Sequence, residues 1–258
     1  MPGTSKAKNP KGYDITFTEF DHKYSTILKD GSEVKYTSGT AFSKPFFKEF
    51  DPTGEITKRC AAKEGLTVEE LKAKWQAKAN ESSRIGTRMH ETIEDVLQKN
   101  KFRNIAENEE ERRRFNNAIA IAKKLYERLD ILGIEKIVFD VDLALAGTID
   151  LLGKSKKTGE YIIADHKSNT DLDLDNKYKS FALDPISHIP DTSFGHYQIQ
   201  LNLYQYLLKY GGYVPKDAKF KMYLNHVTSD FVKLIEVPDR QNEIKDMMIE
   251  YLLKYKRT

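Results

Sequence analysis

The sequence predicts an α/β protein, because helical and strand-like stretches alternate along a chain of ordinary globular composition. Of its 258 residues, 39% are hydrophobic and 11% are aromatic, which allows a sizeable core. A helical apolar stripe runs through residues 82–98, and strand-like alternation follows at 135–147. No internal repeat or linker divides the chain. We therefore expect one folded domain over residues 13–258.

The N-terminal part combines a basic tail with a strand-rich stretch. Residues 1–12, "MPGTSKAKNPKG", are short, basic and contain Pro, Gly and Ser, which favours a flexible basic arm. Residues 13–40 place aromatic and β-branched side chains around an Asp-Gly turn. That pattern predicts a hairpin.

Three helices are expected next. The stretch 67–79 begins with a capping box at Thr67. Residues 82–98 place apolar side chains on one stripe, namely Ile85, Met89, Ile93 and Val96. The third helix starts at 108 and is expected to stop near Gly133.

Strands dominate the second half. Residues 135–147 alternate as one strand, and 148–154 and 159–167 are predicted as two more around the turn "KSKKTG". A helix at 196–212, strands at 219–227 and 231–237, and a C-terminal amphipathic helix complete the expected elements.

The strand that ends in "ADHK" carries the first chemical signal. If 148–154 and 159–167 pair as antiparallel neighbours, Asp150 and Asp165 lie close together, and Lys167 projects to the same side as Asp165. Two adjacent carboxylates repel and favour a hard divalent cation, while an ammonium can hold or deprotonate a water. This combination suits metal-assisted hydrolysis of a phosphodiester. A solvated Asp165–Lys167 pair is the commoner fate of an isolated D-x-K.

Four short motifs occur together in a characteristic order. They are "GTRMHETIE" at 86–94, "GTID" at 147–150, "DHK" at 165–167 and "QLNLY" at 200–204. In this order they resemble the PD-(D/E)XK nuclease superfamily, and within it the RecB-like and phage exonuclease branch. The resemblance implies a restriction-endonuclease-like core, which is a central mixed β-sheet flanked by helices, here with a helical N-terminal elaboration.

The resemblance also implies a metal site. Asp150, Asp165, His90 and the backbone carbonyl of His166 would hold Mg²⁺ or Mn²⁺, and Lys167 would position the attacking water. Strand alternation sends the His166 side chain to the opposite face. Glu94, on the helical stripe of His90, would orient its imidazole. A lone helical histidine is otherwise more often a structural residue.

Contacts with DNA are expected at two further places. Gln200 and Tyr204 lie one turn apart and can contact phosphate or support an unstacked base, although a polar helix edge explains them equally well without the resemblance. The turn lysines Lys154, Lys156 and Lys157 could touch phosphates, or only keep the hairpin soluble. The long segment 168–195 is expected to be a flap over the active site.

The resulting hypothesis is a metal-dependent exonuclease acting on DNA ends in phage or bacterial recombination and repair. The alternatives are a structure-selective DNA endonuclease or an RNA-cleaving endonuclease of the same superfamily, and a non-catalytic nucleic-acid-binding module. A homo-oligomer or a recombination partner protein is compatible with the resemblance.

Composition sets the outer limits on function. The net charge of +3 arises from 42 basic and 39 acidic residues and does not by itself indicate nucleic-acid binding. The single Cys60 excludes an internal disulfide and a cysteine-only metal or iron–sulfur site. Without an apolar run of membrane-spanning length we expect no membrane association, and a cytoplasmic location, which is the bacterial host cell for a phage-encoded protein.

Overall fold

A computed structural model describes residues 3–255, which form a mixed β-sheet flanked by helices. The strands are β1 Thr4–Lys8, β2 Asp14–Thr18, β3 Lys23–Ile27, β4 Glu33–Ser38, β5 Leu129–Asp140, β6 Leu145–Ser155, β7 Tyr161–Lys167, β8 Phe220–Val227 and β9 Val232–Val237. The helices are α1 Gly39–Ser43, α2 Glu55–Glu64, α3 Val68–Gln98, α4 Glu109–Arg128, α5 Ser193–Tyr210 and α6 Gln241–Tyr255. Within this range, each helix is too short or too polar to cross a membrane.

The nine strands form one sheet in the order β1-β2-β3-β4-β6-β7-β8-β9, with β5 paired to β6. Strands β1 to β4 form an antiparallel meander, and β3 and β4 are joined by the predicted Asp-Gly turn. The pairs β4–β6 and β7–β8 are parallel, whereas β5–β6, β6–β7 and β8–β9 are antiparallel. This mixed sheet with flanking helices confirms the predicted fold class.

Strand β6 is shared by three neighbours, and this sharing opens a gap in the sheet. Strand β5 pairs with β6 along its whole length, from Leu145 to Ser155. On the other side β4 reaches only Leu145 and Ala146, and β7 pairs only with residues 151–154. Residues 147–150 therefore have no strand on that side in the described ladders, and "GTID" lies in the gap.

Helices cover both faces of the sheet. On one face, α3 and α4 bury apolar residues such as Met89 and Ile121 against Leu151 and Ala164. On the other face, α1, α5 and α6 pack against a larger core that includes Ile149 and Ile163. The two cores hold the central strands from opposite sides, which fixes the gap between β6 and β7.

Helix α3 is one continuous helix of 31 residues, where the sequence suggested two. The capping box at Thr67 is present, with Glu70 as its partner. Asn80 and Glu81, which separate the two expected helices, are tolerated in a helix interior because neither blocks the backbone ladder as proline would. The buried side chains Met89 and Ile93 hold the C-terminal half against the sheet.

Two of the elements expected between residues 108 and 147 are wrong in extent. Helix α4 ends at Arg128 rather than near Gly133, and β5 begins directly at Leu129. The single strand expected at 135–147 is a hairpin that turns over residues 141–144. Asp140 stabilises the turn by accepting hydrogen bonds from the Leu143 N–H at 3.0 Å and from Lys11 at 2.9 Å. Alternation alone did not distinguish a hairpin from a longer strand.

Two segments expected to be loose make ordered contacts. Within residues 1–12, β1 pairs with β2, while Met1 and Pro2 lie outside the described residues. The division into an arm at 1–12 and a domain at 13–258 stays a prediction. The segment 168–195 buries Leu172, Ile186 and Ile189 in the larger core. That segment is therefore an anchored loop leading into α5, and its role as a flap over the active site stays a prediction.

Two glycines make room for one tyrosine ring beside the gap. A Cβ atom at Gly147 would lie 2.3 Å from Cε1 of Tyr204, and one at Gly39 would lie 3.2 Å from the same atom. Tyr204 is only 4% exposed. The glycine of "GTID" therefore allows α5 to pack closely over β6.

We expect Gly147→Ala to destabilise the protein by about 1–3 kcal/mol, because the added methyl group overpacks a buried ring. Gly39→Ala is the matched control: its methyl group meets the same ring atom at a distance that a small shift relieves. Urea denaturation of both variants measures the free energy of unfolding. Equal losses for the two variants would contradict this account of Gly147.

Candidate active site

The gap between β6 and β7 is bridged by a side chain in place of a backbone hydrogen bond. The His166 N–H donates to Oδ2 of Asp150 at 2.7 Å. Asp150 lies on β6 just before the ladder with β7 begins at Leu151, and His166 lies on β7 just beyond the last pair at Ala164. The strand segments that carry Asp150 and Asp165 therefore lie close together, as the sequence predicted.

The adjacent aspartate and lysine form a buried ion pair. Oδ2 of Asp165 lies 2.6 Å from Nζ of Lys167, and both side chains are largely enclosed. Nζ of Lys167 also lies 4.5 Å from the ring centroid of Tyr197 on α5. Strand alternation places Asp165 and Lys167 on one side of β7. The Asp165–Lys167 pair is thus buried, and not the solvated pair that the sequence also allowed.

His90 approaches the gap from α3. Its Nε2 lies 2.7 Å from the carbonyl oxygen of His166, and since a carbonyl can only accept, Nε2 carries the hydrogen. Nδ1 then faces two carboxylates, at 3.5 Å from Asp150 and 3.9 Å from Glu135. The His166 carbonyl thus holds the ring orientation, and its expected role as a metal ligand stays a prediction.

The His166 side chain points away from Asp165, as strand alternation predicts. Its ring is buried, and Nδ1 lies 2.9 Å from Nδ2 of Asn225 on β8. Burial lowers the pKa of the His166 imidazole to about 3, so this ring remains neutral.

Glu135 is a site residue that the sequence did not reveal. It lies on β5 between the ladder pairs Ile134–Leu151 and Lys136–Ile149, which places it across from Asp150. Its φ of 46° is in the left-handed region, which is strained for a non-glycine residue and often marks functional positions. Because 135–147 was interpreted as one strand, the hairpin that brings Glu135 to Asp150 was not anticipated.

The site groups perturb one another electrostatically. Burial lowers the pKa of His90, but the carboxylates of Asp150 and Glu135 outweigh it and raise the pKa to about 9. Burial likewise opposes the charge on Lys167, yet Asp165 and Asp150 raise its pKa. Burial and the nearby Asp150 raise the pKa of Asp165 despite the ion pair with Lys167. Desolvation in the cleft also raises the pKa of Glu135.

The cleft around the gap is rich in acidic groups. Its volume is about 890 Å³. Among the described residues that line it, one is an arginine, Arg103, and five carry carboxylates. The carboxylate residues are Glu19, Glu91, Glu94, Glu135 and Asp150. An anionic nucleic acid is repelled by such a surface unless a bound cation neutralises it.

The donor groups fit a small divalent cation. His90, Glu135 and Asp150 each offer one ligand atom, and these atoms lie within 4.8 Å of one another. Ligands at ~2.1 Å from one ion are separated by roughly 3–4 Å, which agrees with the spacings around Nδ1 of His90. Asp165 is not part of this cluster, since its Oδ2 faces Lys167. Because the nearby carboxylates raise the pKa of His90 to about 9, metal binding at neutral pH must displace a proton from its ring.

Glu94, which the sequence placed behind His90, has another partner. Its Oε2 accepts a hydrogen bond from Arg103 at 2.8 Å, and Arg103 also binds the buried Asp95 at 2.8 Å. The carboxylates near the His90 ring are those of Asp150 and Glu135. The orienting role of Glu94 stays a prediction.

The glycine of the "GTRMH" motif lets α3 approach the end of β7. A Cβ atom at Gly86 would lie 3.3 Å from Oγ of Ser168, the residue after Lys167. The missing side chain at Gly86 thus leaves room for the Ser168 side chain next to the helix. This approach of α3 brings His90 to the gap.

The expected DNA-contacting residues fall into two groups. Gln200 and Tyr204 line the cleft, and Nε2 of Gln200 donates to the Tyr204 hydroxyl at 2.9 Å. Burial raises the pKa of Tyr204, and its ring is packed between glycines rather than free to stack on a base. The roles of both residues in binding DNA stay predictions.

The turn lysines lie away from the cleft. Lys154 rests over the ring of Tyr161 at 5.5 Å, and Lys156 donates to the carbonyls of Tyr126 and Glu127. Lys157 lies in the β6–β7 turn, some seven residues beyond Asp150, which corresponds to ~20 Å along a strand. The fold does not bring these lysines to the site, and their contact with phosphate stays a prediction.

A split mixed sheet with a candidate divalent-cation site and a buried lysine suits an enzyme that cleaves phosphodiester bonds. Comparison with family models gives a match to the PD-(D/E)XK nuclease superfamily over residues 55–254. The chain therefore belongs to this superfamily, and membership implies a metal-dependent nuclease that binds nucleic acid. None of the curated proteins matches the chain.

We expect Glu135→Gln to weaken Mn²⁺ binding by roughly ten-fold or more, because it removes a carboxylate from the donor cluster. Glu94→Gln is the matched control, and its Mn²⁺ affinity should stay close to that of the unmodified protein since Glu94 pairs with Arg103. Titration calorimetry on both folded variants measures the two affinities. A larger loss in Glu94→Gln would favour the orienting role and contradict the assignment of Glu135.

Proposed function

We propose that this protein is a Mg²⁺- or Mn²⁺-dependent deoxyribonuclease of the RecB-like and phage exonuclease branch, which removes nucleotides from DNA ends during recombination or repair in the cytoplasm. The convergence of His90, Asp150, Asp165 and Lys167 at the gap between β6 and β7 carries this proposal. A binding module has no need for such a buried set of charges.

Each residue has a role that its geometry supports. Asp150, Glu135 and Nδ1 of His90 would hold the cation, and Asp165 would join them through the carboxylate oxygen that does not face Lys167. When bound, a divalent ion supplies charge neutralisation and polarisation of the scissile phosphate. The nitrogen ligand makes Mn²⁺ at least as suitable as Mg²⁺.

Lys167 is suited to position water rather than to remove its proton. The raised pKa keeps its side chain as an ammonium, and an ammonium donates hydrogen bonds but cannot accept a proton. The ion pair with Asp165 and the ring of Tyr197 restrict its position. A water or phosphate oxygen that accepts from Nζ is thereby oriented, and negative charge developing on phosphate is offset.

Action at DNA ends is supported by the walls of the cleft. The N-terminal meander contributes Phe17, His22 and Tyr24 to its lining, and α3 contributes His90. The anchored segment 168–195 follows Lys167 directly. A cleft enclosed from several elements admits a chain end more readily than a continuous duplex.

Cleavage of linear and circular DNA tests the end dependence. We expect end-labelled linear single- or double-stranded DNA to be degraded to short products with Mg²⁺ or Mn²⁺, and a closed circle of the same sequence to resist. EDTA should stop the reaction. Rapid cutting of circles would indicate a structure-selective endonuclease, faster cutting of RNA an RNA endonuclease, and binding without products a binding module.

The catalytic set is tested by Asp150→Ala, Asp165→Ala and Lys167→Ala. Each should lower the cleavage rate on the order of 100-fold or more. The aspartate variants should also lose Mn²⁺ affinity, whereas Lys167→Ala should retain it because an ammonium is not a metal ligand. Cleavage rates and calorimetry on the folded variants separate the two effects.

A matched control is the exposed ion pair between Lys221 on β8 and Glu236 on β9, whose atoms lie 2.8 Å apart. Lys221→Ala and Glu236→Ala should leave cleavage unchanged. Near-normal turnover in any of the three site variants would refute the assignment of that residue.

A further inference from the structure

A second groove lies away from the catalytic cleft, between helices α2 and α3. Its volume is about 990 Å³. Each helix contributes one face, with residues at helical spacing. Helix α2 supplies Ile56, Arg59, Cys60 and Lys63, and α3 supplies Trp75, Lys78, Ala79 and Ser82. Phe50 and Tyr178 complete the lining, so the groove is assembled from four separate parts of the chain.

Aromatic side chains in the groove are unusually exposed. Tyr178 is 90% exposed and Phe50 is 55% exposed. The rings of Phe50 and Trp75 lie with their centroids 6.1 Å apart and tilted by 57°. Large apolar surfaces of this kind generally serve to bind a ligand or partner.

The groove also carries cations that have no carboxylate partner. Across residues 3–253, whose side chains the structure describes, no carboxylate lies within 4.0 Å of the charged atoms of Arg59, Lys63 or Lys78. The acidic residues of α2 pair with lysines outside the groove, Glu55 with Lys58 and Glu64 with Lys74. The unpaired cations leave a positive surface beside the rings.

We propose that this groove binds a single-stranded segment of DNA. Aromatic rings stack on unpaired bases and neighbouring Arg and Lys side chains contact the phosphates, a combination that is typical of single-strand binding. Duplex DNA hides its base faces, so the rings favour an unpaired strand. Among the residues that the structure describes, those lining this groove include no carboxylate, which distinguishes it from the carboxylate-rich catalytic cleft.

Helix α3 connects the groove to the active site. Ser82 lines the groove, and Gly86, one turn later, lines the catalytic cleft. Trp75 and His90 are separated by fifteen helical positions, which corresponds to ~22 Å. A strand held in the groove can therefore run along α3 to the cleft, and this part of the inference rests on the proposed function.

The groove contains its own reporter, because Trp75 is the single tryptophan of the chain. We expect titration with oligo-dT in EDTA to quench its fluorescence, and the affinity to fall as salt is raised. Oligonucleotides of a few residues should bind more weakly than those long enough to cross the groove. A short acidic peptide with aromatic residues serves as the competing probe.

Matched variants localise the binding. Tyr178→Ala should weaken oligo-dT binding by roughly five-fold or more, and Lys78→Glu should weaken it and reduce the salt dependence. The controls are Tyr210→Ala, which removes another exposed ring, and Lys123→Glu, which makes the same charge change at an exposed position of α4 outside the groove. Both controls should bind like the unmodified protein.

The outcomes separate this proposal from the nuclease proposal. If oligo-dT quenches Trp75 and the groove variants weaken this quenching, the result supports binding of DNA in the groove. This holds even if the protein cleaves nothing, because EDTA makes the measurement independent of cleavage. Cleavage of DNA without quenching of Trp75 would refute DNA binding in the groove but leave the nuclease proposal standing. Quenching by the acidic peptide but not by oligo-dT, or equal effects of groove and control variants, would also overturn it.

Discussion

The site depends on a break in the ladder between β6 and β7. Up to Leu151 and Ala164 the two strands pair through their backbones, and beyond that point the Asp150 carboxylate accepts the His166 N–H in place of a main-chain oxygen. A buried N–H without a partner is costly, so this hydrogen bond is what makes the separation stable. The break exposes Asp150 on one side and positions Asp165 and Lys167 on the other.

The charges at the break balance only in part without a cation. Lys167 neutralises Asp165, while Asp150 and Glu135 share the single imidazole of His90. Those two carboxylates hold a proton on His90 that a divalent ion would replace. The elevated pKa of the histidine thus reflects the same surplus of negative charge that makes the cluster suitable for a metal.

Much of this arrangement could be predicted from the sequence because it is local. The D-x-K spacing determines that Asp165 and Lys167 share a side of one strand, and the stripe of α3 determines which face His90 shares with Gly86. The strand order and the burial of Tyr204 against Gly147 depend on contacts distant in sequence, which short periodicities do not encode.

Other features were hidden by ambiguous patterns. Glu135 reaches the site only because 135–147 folds back at Val141 to Ala144, and the alternation there is the same for a hairpin as for one strand. Glu94 has the helical spacing to face His90, yet Arg103, supplied by the segment after α3, competes for it. Spacing along a helix gives a direction but not the partner that tertiary structure places there.

The unbroken course of α3 links its two ends mechanically. Its C-terminal half is fixed in the core by Met89 and Ile93, whereas the half that carries Trp75 lies outside that core and packs against α2, with Leu71 buried. Over a ~22 Å lever, a tilt of about 5° displaces one end by about 2 Å relative to the other, which is large compared with the ~0.2 Å tolerance of metal–ligand distances. A tilt of the whole helix would therefore shift His90, and by thermodynamic reciprocity an ion bound at His90 would bias the position of the half that carries Trp75.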